Sequence, residues 1–185
     1  MKLLLHICCA PCLIYPLRIL KQDNHELKGC FYNPNIHPSS EYQKRLHAVE
    51  DYAKQQGLEV LWPEGYDMET FLRSVVFREA DRCHACYSLR LRHTAQIASS
   101  QAFDGFTTTL LYSRYQQHEW IKRIAESLAQ EYGVLFYYQD FRAGWPEGVR
   151  RSREAGMYRQ SYCGCIYSEK DRYWPKPRPG RQDLF

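Results

Sequence analysis

The sequence predicts an α/β fold, a parallel sheet covered by helices, and three observations carry that prediction. Short, nearly continuous apolar runs such as Leu3 to Ile7 and Gly105 to Leu111 suit strands buried on both faces. Stretches with helical spacing of apolar residues stand between those runs, and alternating strands and helices imply βαβ units. The chain has 185 residues, 44% hydrophobic and 25% charged, which is enough for one core, and no apolar run approaches the roughly 18 to 20 residues of a membrane span.

The first strand, Leu3 to Ile7, is interrupted only by His6, which reads as a satisfied core histidine. Ala10-Pro11-Cys12 then opens a helix that runs to about Lys21, with Pro11 suited to a first turn where its missing N–H costs nothing. A second strand is expected from Leu27 to Tyr32, ended by Asn33-Pro34-Asn35. Ser40 and Gln43 have the spacing of a capping box, and Tyr42, Leu46, Val49 and Ala53 continue a helix to Gly57. Leu58 to Trp62 is a third short strand.

A helix is expected from about His84 to Ser99, followed by the threonine-rich strand Gly105 to Leu111. Trp120, Ile121, Ile124, Ala125, Leu128 and Tyr132 mark one face of the next helix, with Gly133 as its stop. Val134 to Tyr138 supplies a fifth strand. From about Asp140 periodicity fades, and a lobe wrapped over the sheet edge is expected. The division is a single domain over 1–174, with a body over 1–139, a lobe over 140–174 and a tail over 175–185.

Ligands of such sheets gather at the carboxyl ends of the strands. Cys8 and Cys9 lie at one such end, Asn33 to His37 at another, and Ser113 to Gln116 at a third. The opening Met-Lys-Leu-Leu-Leu-His-Ile is too short for a secretory signal, so the reading is an intact cytoplasmic protein with no membrane partner.

The net charge is +4, but the stretch from Arg142 to Arg181 holds ten Lys or Arg against four acids, leaving −2 for the rest. Trp145, Tyr158, Tyr162, Tyr167, Tyr173 and Trp174 are interleaved with those cations, a mixture suited to phosphate contact and base stacking. A solvated basic tail fits the same composition.

Eight cysteines are too few for a disulfide scaffold of this length, and they cluster: Cys8, Cys9 and Cys12; Cys83 and Cys86; Cys163 and Cys165; with Cys30 alone. Clustered thiols in a reducing compartment indicate metal or redox work. Cys83-His84-Ala85-Cys86 lets two thiolates reach one centre from a single helical turn, as in zinc, iron–sulfur and thioredoxin-like sites. Cys8 and Cys9 complete a four-cysteine set if the two loops converge, and such a set holds either zinc or [4Fe-4S].

Cys12, near a helix start, has two readings: a thiol of depressed pKa, or a small buried hydrophobe. Cys30 reads as core. Cys163-Gly164-Cys165 closes only a small, strained and readily reduced ring, which favours a redox-cycling pair; a second pair of metal ligands is the competing reading. The first βα turn carries cysteines where a glycine-rich phosphate loop would stand, which argues against ATP binding. His37 and His118 are candidates for substrate contact. Asn33, Glu41, Tyr42 and Arg45 are candidates for a polar pocket or, equally, for caps and a solvated helix face.

Five motifs in one order carry a resemblance. They are His6-Ile7-Cys8-Cys9-Ala10-Pro11-Cys12; Tyr32-Asn33-Pro34-Asn35-Ile36-His37-Pro38 with Glu41 and Tyr42; Arg82-Cys83-His84-Ala85-Cys86-Tyr87 with Arg90-Leu91; Thr107-Thr108-Thr109-Leu110 with Ser113; and Tyr158-Arg159-Gln160-Ser161-Tyr162-Cys163-Gly164-Cys165 with Tyr167-Ser168. Together they resemble the QueH-type epoxyqueuosine reductases over roughly residues 2–174.

That resemblance implies a Rossmann-like sheet of the adenine-nucleotide-alpha-hydrolase (HUP) kind and the last step of queuosine synthesis, in which epoxyqueuosine at a tRNA wobble position loses its epoxide oxygen. It implies a [4Fe-4S] cluster on Cys8, Cys9, Cys83 and Cys86, with one additional iron allowed beside it and no cobalamin, and a redox-active disulfide of Cys163 with Cys165. Substrate contacts are expected from Asn33, His37, Tyr42, Ser113 and Arg159. The partners are tRNA carrying epoxyqueuosine and an unidentified electron donor. The alternatives are a zinc-stabilised RNA-binding module and a general thiol–disulfide oxidoreductase.

Overall fold

A computed structural model describes residues 1–175, so Lys176, Arg178 and Arg181 and nearly all of the expected tail lie outside the described residues. Five parallel strands form one sheet in the order β3-β2-β1-β4-β5, with β1 at Lys2–His6, β2 at Glu26–Cys30, β3 at Val60–Leu61, β4 at Gly105–Thr108 and β5 at Leu135–Phe136. The predicted α/β, Rossmann-like sheet is therefore the observed one. Leu3, Leu4 and Leu5 in β1 and Ile7 just after it are wholly buried, each contributing roughly 1.5–3 kcal/mol by leaving water. β1 is central because only a strand apolar on both faces tolerates that position.

The helices are α1 (Ala10–Gln22), α2 (Ser39–Gln56), α3 (Met68–Val75), α4 (Arg82–Ser100), α5 (His118–Tyr132), α6 (Trp145–Glu154) and α7 (Ile166–Tyr173). The expected start of α2 needs correction: Pro38 is its N-cap, no side chain caps it, and the backbone N–H groups of Glu41 and Tyr42 reach the Pro38 carbonyl instead of a Ser40–Gln43 box. The strand expected to reach Leu111 stops at Thr108, whose hydroxyl accepts the Leu110 N–H at 3.1 Å and starts a 3₁₀ turn over Thr109–Tyr112. In α5, Ile121, Ala125 and Leu128 are buried as expected, whereas Trp120 is 40% exposed.

α3 was not expected. Asp67 accepts the Thr70 N–H at its start, and Phe71 and Val75, four apart, are fully buried beside α4.

The segment after Asp140 is likewise more regular than its composition suggests. A 3₁₀ turn at Arg142–Gly144 leads into α6, which packs on α1 and fully buries only Gly148 and Ser152 of its own residues. A Cβ at Gly148 would lie 2.1 Å from the Tyr112 hydroxyl, so glycine alone allows α6 to come this close to the Thr109–Tyr112 turn. No described helix is long and apolar enough to cross a membrane.

Candidate metal and thiol centre

Strand order reverses at the neighbours of β1, and the carboxyl ends of β1 and β4 open there, the usual binding crevice of such sheets. The chain leaves β1 through Cys8 and Cys9. Thr109, just beyond β4, fixes this turn: its hydroxyl accepts the Cys8 N–H at 3.0 Å and donates to Cys8 Sγ at 3.2 Å. Cys9 is the extended residue before α1, and Cys12 follows in its first turn.

The Sγ atoms of Cys8, Cys9 and Cys12 lie within 4.8 Å of one another, at the edge of the core. Hydrogen bonds from Cys12 and Cys9 hold the Cys8 thiol well below its ordinary value. The reciprocal bonds with Cys8 and Cys9, with burial, drive Cys12 well above its own, so the depressed pKa considered for Cys12 belongs to Cys8. Burial pushes Cys9 up to about 12. Of the three thiols, only Cys8 is lowered. Its neighbour His6 is neutral, lowered to about 3 chiefly by burial, with Nδ1 2.8 Å from the Thr108 hydroxyl.

Cys83 and Cys86 stand three apart in the first turns of α4 and so share a face. They do not join the triad within 4.8 Å. What connects the two groups is Arg90, one turn beyond Cys86: its guanidinium lies 3.6 Å from Cys86 Sγ, and Cys8 is close enough to act on its charge. Burial pushes the Cys86 thiol up to about 12 and also raises Cys83. Cys30 is fully enclosed in the core as expected, its thiol at about 12 through burial.

The Cys163-Gly164-Cys165 segment crosses the same end of the sheet. Both cysteines are free thiols in this structure, but they differ in setting. Cys163 is exposed, with the Gln116 amide nitrogen 3.4 Å from its sulfur. Cys165 is buried against Phe71, Val75 and Cys86. Gly164 adopts φ +143°, in the region that favours glycine, and this turns the two thiols to different surroundings. The segment is tied down by Gly164 O accepting the His37 N–H at 2.8 Å and by Arg45, whose guanidinium donates to the carbonyls of Cys163 and Tyr162.

A cavity of about 520 Å³ opens beside these sulfurs, lined by Cys8, Cys12 and Cys163 on one side and by Tyr112, Tyr115, Trp145, Arg159 and Gln160 on others. Its size and mixed lining suit a nucleoside-sized ligand. Of the residues expected to touch substrate, Ser113 and Arg159 line it; Asn33, His37 and Tyr42 do not. Asn33 is buried between the Ile7 carbonyl and Arg90. His37 accepts the Ile166 N–H at 3.3 Å on Nδ1 and packs on Phe71. Tyr42 packs between Phe31 and Tyr66. His118 is buried against Tyr138, and burial lowers its pKa. Glu41 and Arg45 form a buried pair at 2.7 Å, not a solvated face.

Sequence reasoning put Gln116 at a ligand-gathering strand end without a role, though its amide faces Cys163, and gave Gln160, 2.9 Å from Cys9 Sγ, no role of its own. It also passed over Tyr112 and Trp145, packed at 5.2 Å, as cavity wall. Glutamines carry no pattern signal of their own; only their place beside cysteines in space marks them.

A family model described as epoxyqueuosine reductase QueH matches residues 3–171. The epoxyqueuosine reductase QueH of Dehalococcoides mccartyi is 36% identical over 172 residues, covering 93% of this chain and 94% of the relative. That of Thermotoga maritima is 37% identical over 179 residues, covering 91% of each. That of Streptococcus pyogenes is 32% identical, over 91% of this chain and 71% of the relative.

Proposed function

The chain belongs to the epoxyqueuosine reductase QueH family, and from that premise we propose that it reduces epoxyqueuosine at the wobble position of tRNA to queuosine in the cytoplasm, using an iron–sulfur centre and a thiol pair. The observation that carries this reading is the gathering of seven cysteines around one end of the sheet, beside a nucleoside-sized cavity into which Cys163 opens.

One cysteine of each pair, Cys86 in contact and Cys8 nearby, acts on the buried guanidinium of Arg90, a cation that an anionic thiolate-held centre would balance. Cys8, Cys9, Cys83 and Cys86 would hold a [4Fe-4S] cluster, with room for one additional iron, and such a centre supplies electron transfer and Lewis acidity. Zinc at the converging Cys8, Cys9 and Cys12 is the second reading, favoured by their mutual distances.

The reaction consumes the epoxide, two electrons and two protons, and yields the alkene and water. Oxidation of Cys163 and Cys165 to a disulfide releases two electrons and two protons, which balances it; an external reductant then restores the thiols. Cys163 faces the cavity and Cys165 faces Cys86, so the pair spans from substrate side to ligand side. Ser113 and Arg159 meet the substrate from the wall, and Asn33, His37 and Tyr42 brace that wall from behind. Tyr115, Trp145 and the arginines nearby receive the anticodon loop.

Anaerobic purification tests the centre: a brown protein with about four irons supports the cluster, and a colourless one with about one zinc supports the module. Nucleoside analysis of tRNA from cells lacking the protein tests the reaction, with accumulated epoxyqueuosine expected. Cys163→Ser should abolish turnover and leave the cluster spectrum intact; loss of the spectrum would make Cys163 a ligand instead.

A further inference from the structure

Among the described residues two arginines lie almost wholly inside the protein, Arg45 at 2% and Arg90 at 3% exposure, and their partners differ in kind. Arg45 has a carboxylate, Glu41, at 2.7 Å, and two backbone carbonyls. Arg90 has none. Its Nη2 donates to Asn33 Oδ1 at 2.6 Å, its Nη1 lies 3.6 Å from Cys86 Sγ, and its Nε, also buried, has no partner among the described residues.

A guanidinium cannot shed its charge at any ordinary pH, so burial does not neutralise it as it would a lysine or a histidine. An unpaired buried cation is strongly unfavourable, and an amide oxygen balances only part of it. Around it stand the neutral His6, which can balance no charge, and three sulfurs, Cys86 in contact with Cys8 and Cys163 nearby. Arg90 also lines the cavity. Asn33 is itself fixed by donating to the Ile7 carbonyl at 2.9 Å, so the guanidinium is held in orientation rather than free to follow a passing anion.

We propose that Arg90 is the built-in counter-charge of the cysteine-held centre: a fixed cation that balances the anionic cluster of the reading above and raises its reduction potential. The inference rests on that reading. Reduction adds negative charge to a cluster, and a cation held beside it favours the reduced form; net charge and hydrogen bonds to sulfur are among the levers that set such potentials. A structural brace from α4 to Asn33 is the competing role for this residue, and the two roles predict opposite behaviour in the absence of metal.

The test compares wild type, Arg90→Gln, which keeps an N–H donor for Asn33, and Arg90→Lys, which keeps the charge. Midpoint potentials of the anaerobic iron-loaded proteins are taken by spectroelectrochemical titration, and thermal unfolding is followed on the metal-free proteins. The Gln variant should titrate at a more negative potential and lose iron to a chelator at least about tenfold faster, with Lys close to wild type. Its metal-free form should melt no lower than wild type, because an uncompensated charge has been removed. A Gln variant that takes up no cluster, but whose metal-free form is as stable as wild type while Lys loads normally, supports the same role. An unchanged potential in a loaded Gln variant, or a metal-free Gln protein that melts lower, makes Arg90 a brace and overturns the proposal. Wild type that holds zinc and shows no iron–sulfur spectrum sinks the cluster reading itself, a result visible before any variant is made.

Discussion

Arg45 on α2 donates from Nη1 to the carbonyl oxygen of Cys163 at 2.8 Å, joining residues 118 apart in the chain. The same guanidinium pairs with Glu41, whose other carboxylate oxygen accepts the Tyr158 hydroxyl, so one buried ion pair clamps both ends of the 158–163 segment. Removing the cation leaves a buried carboxylate short of its main partner. Arg45→Gln should therefore cost about 3 kcal/mol in urea unfolding of the metal-free protein. It should also open Cys165, now buried, to alkylation in the native state. A variant of unchanged stability with Cys165 still protected would show that the segment is held by other contacts.

Gly164 offers a sharper test because its backbone disfavours a side chain and its surroundings crowd one. Its φ is +143°, and a Cβ there would meet Asn35 Nδ2 at 3.1 Å and both Arg45 Nη1 and Ile36 Cγ1 at 3.2 Å. Strain of this kind costs on the order of 1–3 kcal/mol and would be relieved by turning Cys163 and Cys165 from their present settings. Gly164→Ala should reduce turnover by more than tenfold while iron content stays at the wild-type level. Gly156→Ala is the control: φ is +60°, but nothing lies within 4 Å, so it should lose about 1 kcal/mol of stability and no activity.

The parallel sheet was legible because β1 is apolar on both faces and Gly133, with φ +64°, ends α5 at the position its pattern marks. The cysteine clusters were legible for the same kind of reason: each is contiguous in sequence. What stayed hidden is what forms only in three dimensions. α6 fully buries only Gly148 and Ser152, two small residues that leave no apolar stripe to read. α3 has one buried pair, Phe71 and Val75, too short a pattern to separate from a loop. Arg90 reads as an ordinary helix former until the fold buries it beside Cys86. His37 sits in a polar stretch of sequence, yet the Cys165–Ile166 backbone closes over it.

The eight thiols should differ widely in reactivity once metal is removed. Cys163 is exposed, whereas burial holds Cys9, Cys30 and Cys86 at about 12. At pH 8 a thiol with that pKa is thiolate only to about one part in ten thousand, and thiolate is the reacting form. A brief iodoacetamide pulse on anaerobic, metal-free protein, read by peptide mass mapping, should label Cys163 well before Cys9 and Cys86, and leave Cys30 unlabelled until the protein unfolds. Labelling of Cys30 as fast as Cys163 would mean that the core around β2 opens readily.

The cavity mouth makes a prediction about tRNA that separates charge from stacking. Arg159 and Arg172 line the cavity, and Arg114 stands 5.2 Å over the Trp145 ring. Tyr115 is 78% exposed, its ring nearly perpendicular to the same indole at 5.4 Å, and that exposure leaves it available to a base. If those three arginines each meet one phosphate of an unpaired loop, the slope of about 0.7 per contact predicts roughly 20-fold weaker binding when salt rises from 50 to 200 mM. Arg172→Ala should lower that slope by about 0.7. Tyr115→Ala should weaken binding by about 1–3 kcal/mol at every salt concentration and leave the slope alone, because stacking releases no counterions. Filter binding or fluorescence anisotropy with an anticodon stem-loop reads both quantities. Affinity indifferent to salt over that range, or a Tyr115→Ala protein that binds like wild type, would move the tRNA contact away from this mouth.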